Sequence, residues 1–141
     1  MRDFEFFIFE NIVRKQSPDR SRTEFLKKEA EHSYSLLQEM LAKIGIRNDN
    51  ANDYVKICYD ILMQLVRAKM LLAGFYASGQ GAHEAEVSYM RKLGFKEIEV
   101  QFADQLRFFR NGMLYYGTIL DKQYAEIVIE FIKRNYLKLS R

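Results

Sequence analysis

The stretch KEIEVQFADQLRFFRNGMLYYG, residues 96–117, contains no proline and closes on Gly117, and its large apolar residues recur at spacings of three and four. At about 100° per residue, Ile98, Phe102, Leu106, Phe109, Met113 and Tyr116 fall within one sector of about 80°. This pattern predicts a helix from about Lys96 to Tyr116 with those side chains on its core face. The other side carries Asp104, Arg107, Arg110, Asn111 and Tyr115, interleaved with Val100, Ala103 and Leu114. Asp104 and Arg107 stand three residues apart, while Arg107–Asn111 and Asn111–Tyr115 stand four apart, so these side chains are helical neighbours. A solvated face would carry more lysine and glutamate and fewer apolar residues. The pattern therefore reads as half-buried, at a subunit interface or a cleft. Two arginines flanked by an acid and an amide suit a phosphate group or a partner's carboxylates. The competing reading is an ion-pair network that only holds structure together.

The segments around this helix repeat its period. Leu26, Ala30, Ser33, Leu37, Leu41 and Ile44 mark one face of a first helix that stops at Gly45. Its start is open between Ser17 capping with Pro18 at the first position and a capping box at Ser21 and Glu24. A second helix places Val55, Cys58, Ile61, Leu62, Leu65, Leu72 and Phe75 inward, and Ile57, Met63 and Met70 imply cover on more than one side. Ser78-Gly79-Gln80-Gly81 breaks it. A short helix from about Ala82 to Leu93 follows, closed by Gly94, and a last one opens at Asp121 and runs through Tyr124, Val128, Phe131 and Ile132 to Tyr136. No stretch has the turn punctuation of a β domain. The expected class is all-α, an up-and-down bundle of about five helices. The phenylalanine-rich FEFFIFENIV near the N-terminus fits either a short strand or an extra helix. Helix is favoured, because no other segment offers a strand to pair with.

At 141 residues, with 48% hydrophobic and 29% charged residues, the chain has the size and apolar content of one folded domain. Residues 1–141 are read as that domain, with 1–16 as an N-terminal extension of undecided structure. A single cysteine, Cys58, excludes an internal disulfide framework and a cysteine zinc cage, and its place on an apolar stripe makes it a core thiol. Two histidines, His32 and His83, leave little for general-base or metal work. Glu29 and His32 have the spacing of a di-iron pair, but the second pair is missing, since Gln80 precedes His83 where an acid is needed. No phosphate loop and no nucleophile elbow occurs, so no cofactor and no metal is expected. The longest apolar run, Met70 to Ala77, falls far short of the roughly 20 residues of a membrane span. The N-terminus lacks a signal-peptide cleavage pattern, so the expectation is a cytoplasmic protein that does not enter membranes. A net charge of +3 permits nucleic acid as a partner without requiring it.

Arg110-Asn111-Gly112-Met113-Leu114-Tyr115-Tyr116-Gly117, preceded by Leu106-Arg107-Phe108-Phe109, resembles the signature helix of HEPN domains. Gly81-Ala82-His83-Glu84-Ala85-Glu86, Leu93-Gly94-Phe95 and Ile119-Leu120-Asp121 followed by Tyr124-Ala125 extend the resemblance over roughly Pro18 to Leu139. It is to archaeal members similar to the HEPN partners of minimal nucleotidyltransferases. The resemblance implies a helical bundle that dimerises through its signature helices. It also implies either metal-independent ribonuclease activity, as in toxin–antitoxin pairs, or binding of RNA, nucleotide or a nucleotidyltransferase partner. The ribonuclease members place a histidine four to six residues after the motif arginine. Here Arg110 matches that arginine and Asn111 the polar residue after it, but Tyr115 stands where the histidine belongs. With an ordinary pKa near ~10, a tyrosine is a poor base at neutral pH, whereas it can hydrogen-bond phosphate or stack on a base.

Three functions remain open on these grounds. One is a non-catalytic HEPN-like module binding a nucleotidyltransferase, nucleotide or RNA through a cleft of Asp104, Arg107, Arg110, Asn111 and Tyr115 at a dimer interface. The second is a ribonuclease toxin using Arg110 and Tyr115. The third is a structural homodimer in which the same side chains pair. Lys133, Arg134, Lys138 and Arg141 make the C-terminus basic, which suits either an anionic partner or a helix C-terminus.

Overall fold

In the computed structural model of the chain, the described residues are 1–115 and 117–141, the side chains of residues 114 and 115 excepted. They form six α-helices: α1 (Phe4–Phe9), α2 (Arg20–Lys43), α3 (Ala51–Leu72), α4 (Ala82–Tyr89), α5 (Glu97–Tyr115) and α6 (Lys122–Ser140). Two strands, β1 (Val13–Lys15) and β2 (Phe75–Ala77), complete the fold. The domain is mostly helical, as the periodicity implied, but it is not purely so.

The N-terminal segment resolves into both alternatives in turn. Asp3 caps α1 by accepting the amide of Phe6 at 3.0 Å, and the helix buries Phe4 and Phe7. Asn11 then takes a left-handed φ of 60°, and the chain turns into β1. β1 pairs antiparallel with β2, with Val13 opposite Ala77 and Lys15 opposite Phe75. A strand partner exists, contrary to expectation, because Phe75 to Ala77 lie beyond the second helix and run extended instead of continuing it. That helix ends at Leu72, and Gly74 (φ 86°) redirects the chain. A Cβ on Gly74 would lie 2.6 Å from the carbonyl oxygen of Gln16, whose own amide donates to Gly74 O at 2.8 Å. Only glycine fits this crossing.

α3 is the axis of the domain: α2, α4, α5 and α6 all pack against it. It buries Val55, Cys58, Ile61, Leu62 and Leu65 as expected, and Tyr54, Met63 and Met70 as well, so several sides are covered, but Leu72, read as inward, is 48% exposed where the helix ends. α2 turns Leu26, Ala30 and Leu37 inward, and Gly45 follows its end with φ 78°. Its cap is Asp19, which accepts the Arg22 amide at 3.0 Å, rather than Ser17 or Ser21. α4 stops at Tyr89, short of the expected Leu93, whereas α6 begins at the Asp121 cap as read and continues to Ser140. Two asparagines tie the α5–α6 connection to the start of α3 and the turn before it: Asn52 of α3 donates to Thr118 O at 2.7 Å and accepts from Leu120 N at 2.8 Å, and Asn48, in the turn, accepts from Lys122 N at 2.8 Å.

Candidate functional site

The orientation of α5 decides what its polar residues can do. Val100, Ala103 and Leu106 are fully buried, whereas Ile98 is 78% exposed. Phe102 and Phe109 are half-buried and reach sideways to α6, Phe102 against Phe131 (5.0 Å between centroids) and Phe109 against Tyr124 (5.3 Å). The predicted core face is therefore rotated: Leu106 belongs to it, Ile98 does not, and Met113 is half-buried. Tyr116, also assigned to it, lies outside the described residues. The physical reason is size. Small Ala103 and compact Val100 let α5 approach α3 and α4, and the large rings fill the wider gap toward α6.

At about 100° per residue, Arg107 and Arg110 fall inside the arc of about 120° that runs from Leu106 through Ala103 to Val100. Their side chains are only 18% and 23% exposed. The half-buried character expected of this face is real, but α3 and α4 of the same chain account for it. Arg107 Nε donates to Asp104 Oδ1 at 2.8 Å, as the spacing of three predicted. Arg110 Nε lies 3.8 Å from Asp60 Oδ1 on α3, an ion pair too long for a hydrogen bond. The Nε and Nη1 atoms of Arg110 are buried and have no acceptor among the described residues. Asn111 is exposed and stands apart from this contact. Tyr115 ends α5, and its side chain lies outside the described residues.

Sequence reasoning missed the other half of this region. Asp60, Gln64 and Arg67, at spacings of four and three, form a polar stripe in α3, where the residues between them are all apolar. Burial pushes the Asp60 carboxyl up, and the nearby Arg110 and Arg67 charges oppose that. Gln64 Oε1 is buried without a donor among the described residues. Arg67 donates from Nε and Nη2 to both oxygens of Glu86 on α4, at 2.5 and 2.9 Å, and His83 Nδ1 lies 3.3 Å from the same carboxylate. Glu86 is 3% exposed. Burial pushes its carboxyl up, but the hydrogen bonds from Arg67 and His83 outweigh that and hold it below the usual range. Burial, followed by the Glu86 charge, pushes the Tyr59 hydroxyl up. Three polar residues at helical spacing with only apolar residues between them were a visible signal for this stripe. Its pairing with Glu86 and Arg110 is long-range and was not visible.

Cys58 is fully buried, and burial pushes its thiol up to about 12, which suits the core role read for it. Glu29 and His32 are both exposed on α2. Among the described residues no group of three or more His, Cys, Asp or Glu side chains is placed to hold a metal ion, and no helix is long and apolar enough to cross a membrane. No family model matches the chain, and neither a curated protein nor a solved structure does.

Proposed function

We propose that the chain is a non-catalytic HEPN-like module that binds the phosphates of RNA or a nucleotide through Arg110. Arg107, Asn111 and Tyr115 lie along the same helix, and a nucleotidyltransferase is the partner that the resemblance implies. The supporting observation is that two buried nitrogens of the partly exposed Arg110 side chain, Nε and Nη1, lack acceptors among the described residues. A buried donor left unsatisfied costs about 1–3 kcal/mol, which an anionic oxygen would remove. Asp60, whose side chain is half exposed, marks the side on which this seam opens to solvent. The dimer in this reading uses the outer surface of α5, where Ile98 and Phe108 stand exposed.

A purely structural reading is favoured by one contact, the Arg107–Asp104 bond at 2.8 Å, which needs no ligand. Arg110→Ala separates the two. Weaker retention of labelled RNA or nucleotide, in a variant that stays folded and keeps its sedimentation behaviour, supports recognition. Unfolding, or loss of a dimer with no ligand effect, supports the structural role. The ribonuclease alternative requires RNA cleavage in the presence of a chelator that Arg110→Ala abolishes. Absence of cleavage above a buffer control removes it.

A further inference from the structure

A cleft of about 290 Å³ opens between the start of α2, the second half of α3, β2 and the start of α4. None of Asp60, Arg107 and Arg110 lines it. Three basic side chains do, each from a different helix: Arg22 from α2, Arg67 from α3 and His83 from α4. Glu86 is the one carboxylate among the described lining residues, and its oxygens are already engaged by Arg67 and His83. The Arg67–Glu86 pair is therefore locally neutral, and the positive charge left in the cleft comes from Arg22.

The polar groups that remain are well placed. The fork to Glu86 uses Nε and Nη2 of Arg67, leaving Nη1 outside it, and the side chain is 30% exposed. His83 turns Nδ1 to the Glu86 carboxylate, which can only accept, so Nδ1 carries the ring proton and Nε2 of the neutral ring is left as an acceptor. The Arg22 guanidinium lies 5.6 Å from the Tyr76 ring centroid and joins no ion pair among the described residues. A carboxylate offers two coplanar oxygens and is satisfied by one arginine fork. Donors from two helices and an acceptor from a third instead suit a tetrahedral group that carries both bare oxygens and a hydroxyl, as the monoanion of a phosphate monoester does. The rings of Phe75 and Tyr76 give the cleft an apolar wall. Small-molecule sites run from about 300 to 1,000 Å³, so this volume limits the occupant to about the size of a mononucleotide.

We propose that this cleft binds the phosphate of a small phosphate monoester, held by Arg22, Arg67 and His83, with its organic part against Phe75 and Tyr76. The site is independent of the Arg110 reading. Calorimetric titration of the full chain with adenosine 5′-monophosphate, inorganic phosphate and adenosine tests it. The expected result is saturable binding of the monophosphate, weaker binding of inorganic phosphate and none of adenosine. Arg22→Ala and His83→Ala each weaken the monophosphate at least fivefold, Arg22→Ala without moving the urea midpoint, and Arg110→Ala changes it by less than twofold. The proposal is overturned if neither phosphate compound binds saturably, if adenosine binds as tightly as its monophosphate, or if both cleft variants bind within twofold of the original. Loss of binding in Arg110→Ala alone would overturn it too, because the phosphate would then belong to the α5 seam.

Discussion

The sharpest energetic statement about this domain concerns Arg67 and Glu86. Replacing Arg67 by Met keeps most of the aliphatic stem and removes both hydrogen bonds to a carboxylate that is 3% exposed. His83, largely exposed and 3.3 Å away, is a poor substitute for the fork. Removing one partner of a buried ion pair costs about 3–5 kcal/mol, because the remaining charge is desolvated and uncompensated. With a urea slope of about 2 kcal/mol per molar, the unfolding midpoint should fall by about 2 M at neutral pH. The double variant Arg67→Met/Glu86→Leu should recover most of that loss, since the buried charge is gone.

The Glu86 carboxyl also makes the stability of the domain depend on pH. In the unaltered chain the Glu86 carboxyl is held below its unfolded value, so its contribution is present above about pH 4.3 and is lost as the pH falls through the depressed folded value. Without Arg67, burial dominates and raises the folded value above the unfolded one. The penalty in Arg67→Met is then full at neutral pH and fades as the pH falls through that raised value. The gap between variant and parent should therefore narrow from pH 7 toward pH 4. A cost below about 1 kcal/mol at pH 7, a double variant no better than the single one, or a gap that widens in acid would refute the reasoning.

Two further outcomes can be measured on the same material. Gly74→Ala combines a left-handed φ with a Cβ 2.6 Å from Gln16 O, so it should cost at least about 2 kcal/mol and speed exchange of the Gln16 amide, which donates to Gly74. Unchanged stability and exchange would mean the crossing relaxes freely. Cys58, buried and pushed up to about 12, should resist a thiol reagent at pH 8 until urea unfolds the chain, and rapid labelling of the native protein would contradict its core placement.

The helices were legible where one stripe faces one neighbour. Leu26, Ala30 and Leu37 on α2, and Val128, Phe131 and Ile132 on α6, sit inward as their spacing requires, and Gly45 and Asp121 bound those helices. The strands were not legible. Three residues give no usable alternation, and Gly74 in the middle of an apolar run looks like a tolerated helical glycine. The facing of α5 was half legible. Interleaving Arg107 and Arg110 with Val100 and Ala103 did signal burial, but periodicity cannot rank two adjacent apolar arcs. The choice between them rests on how closely helices can approach, which is set by the small residues rather than by the aromatic ones.

The same geometry explains why polar groups collect on one side of α3. A helix packed by α2, α4, α5 and α6 keeps one open side, where Asp53 and Asp60 are exposed, and a charge set deeper, as on Arg67, needs a partner on a neighbouring helix. Asp60 and Arg67, seven residues apart, are separated by about 10 Å along the axis. One faces Arg110 on α5 and the other Glu86 on α4, with Gln64 between them. These two pairs differ in kind. Arg67 and Glu86 satisfy each other through two short hydrogen bonds, so that pair can be rigid and structural while presenting the unused edge of Arg67 to a cleft. Asp60 and Arg110 stand 3.8 Å apart with donors unmet among the described residues, so that pair has capacity left for a ligand. If recognition is what this domain does, mutations on α3 should discriminate the two ends. Asp60→Asn should alter binding at the α5 seam with little loss of stability. Arg67→Met should lower stability and alter the cleft at once, so the cleft is better probed from Arg22 and His83.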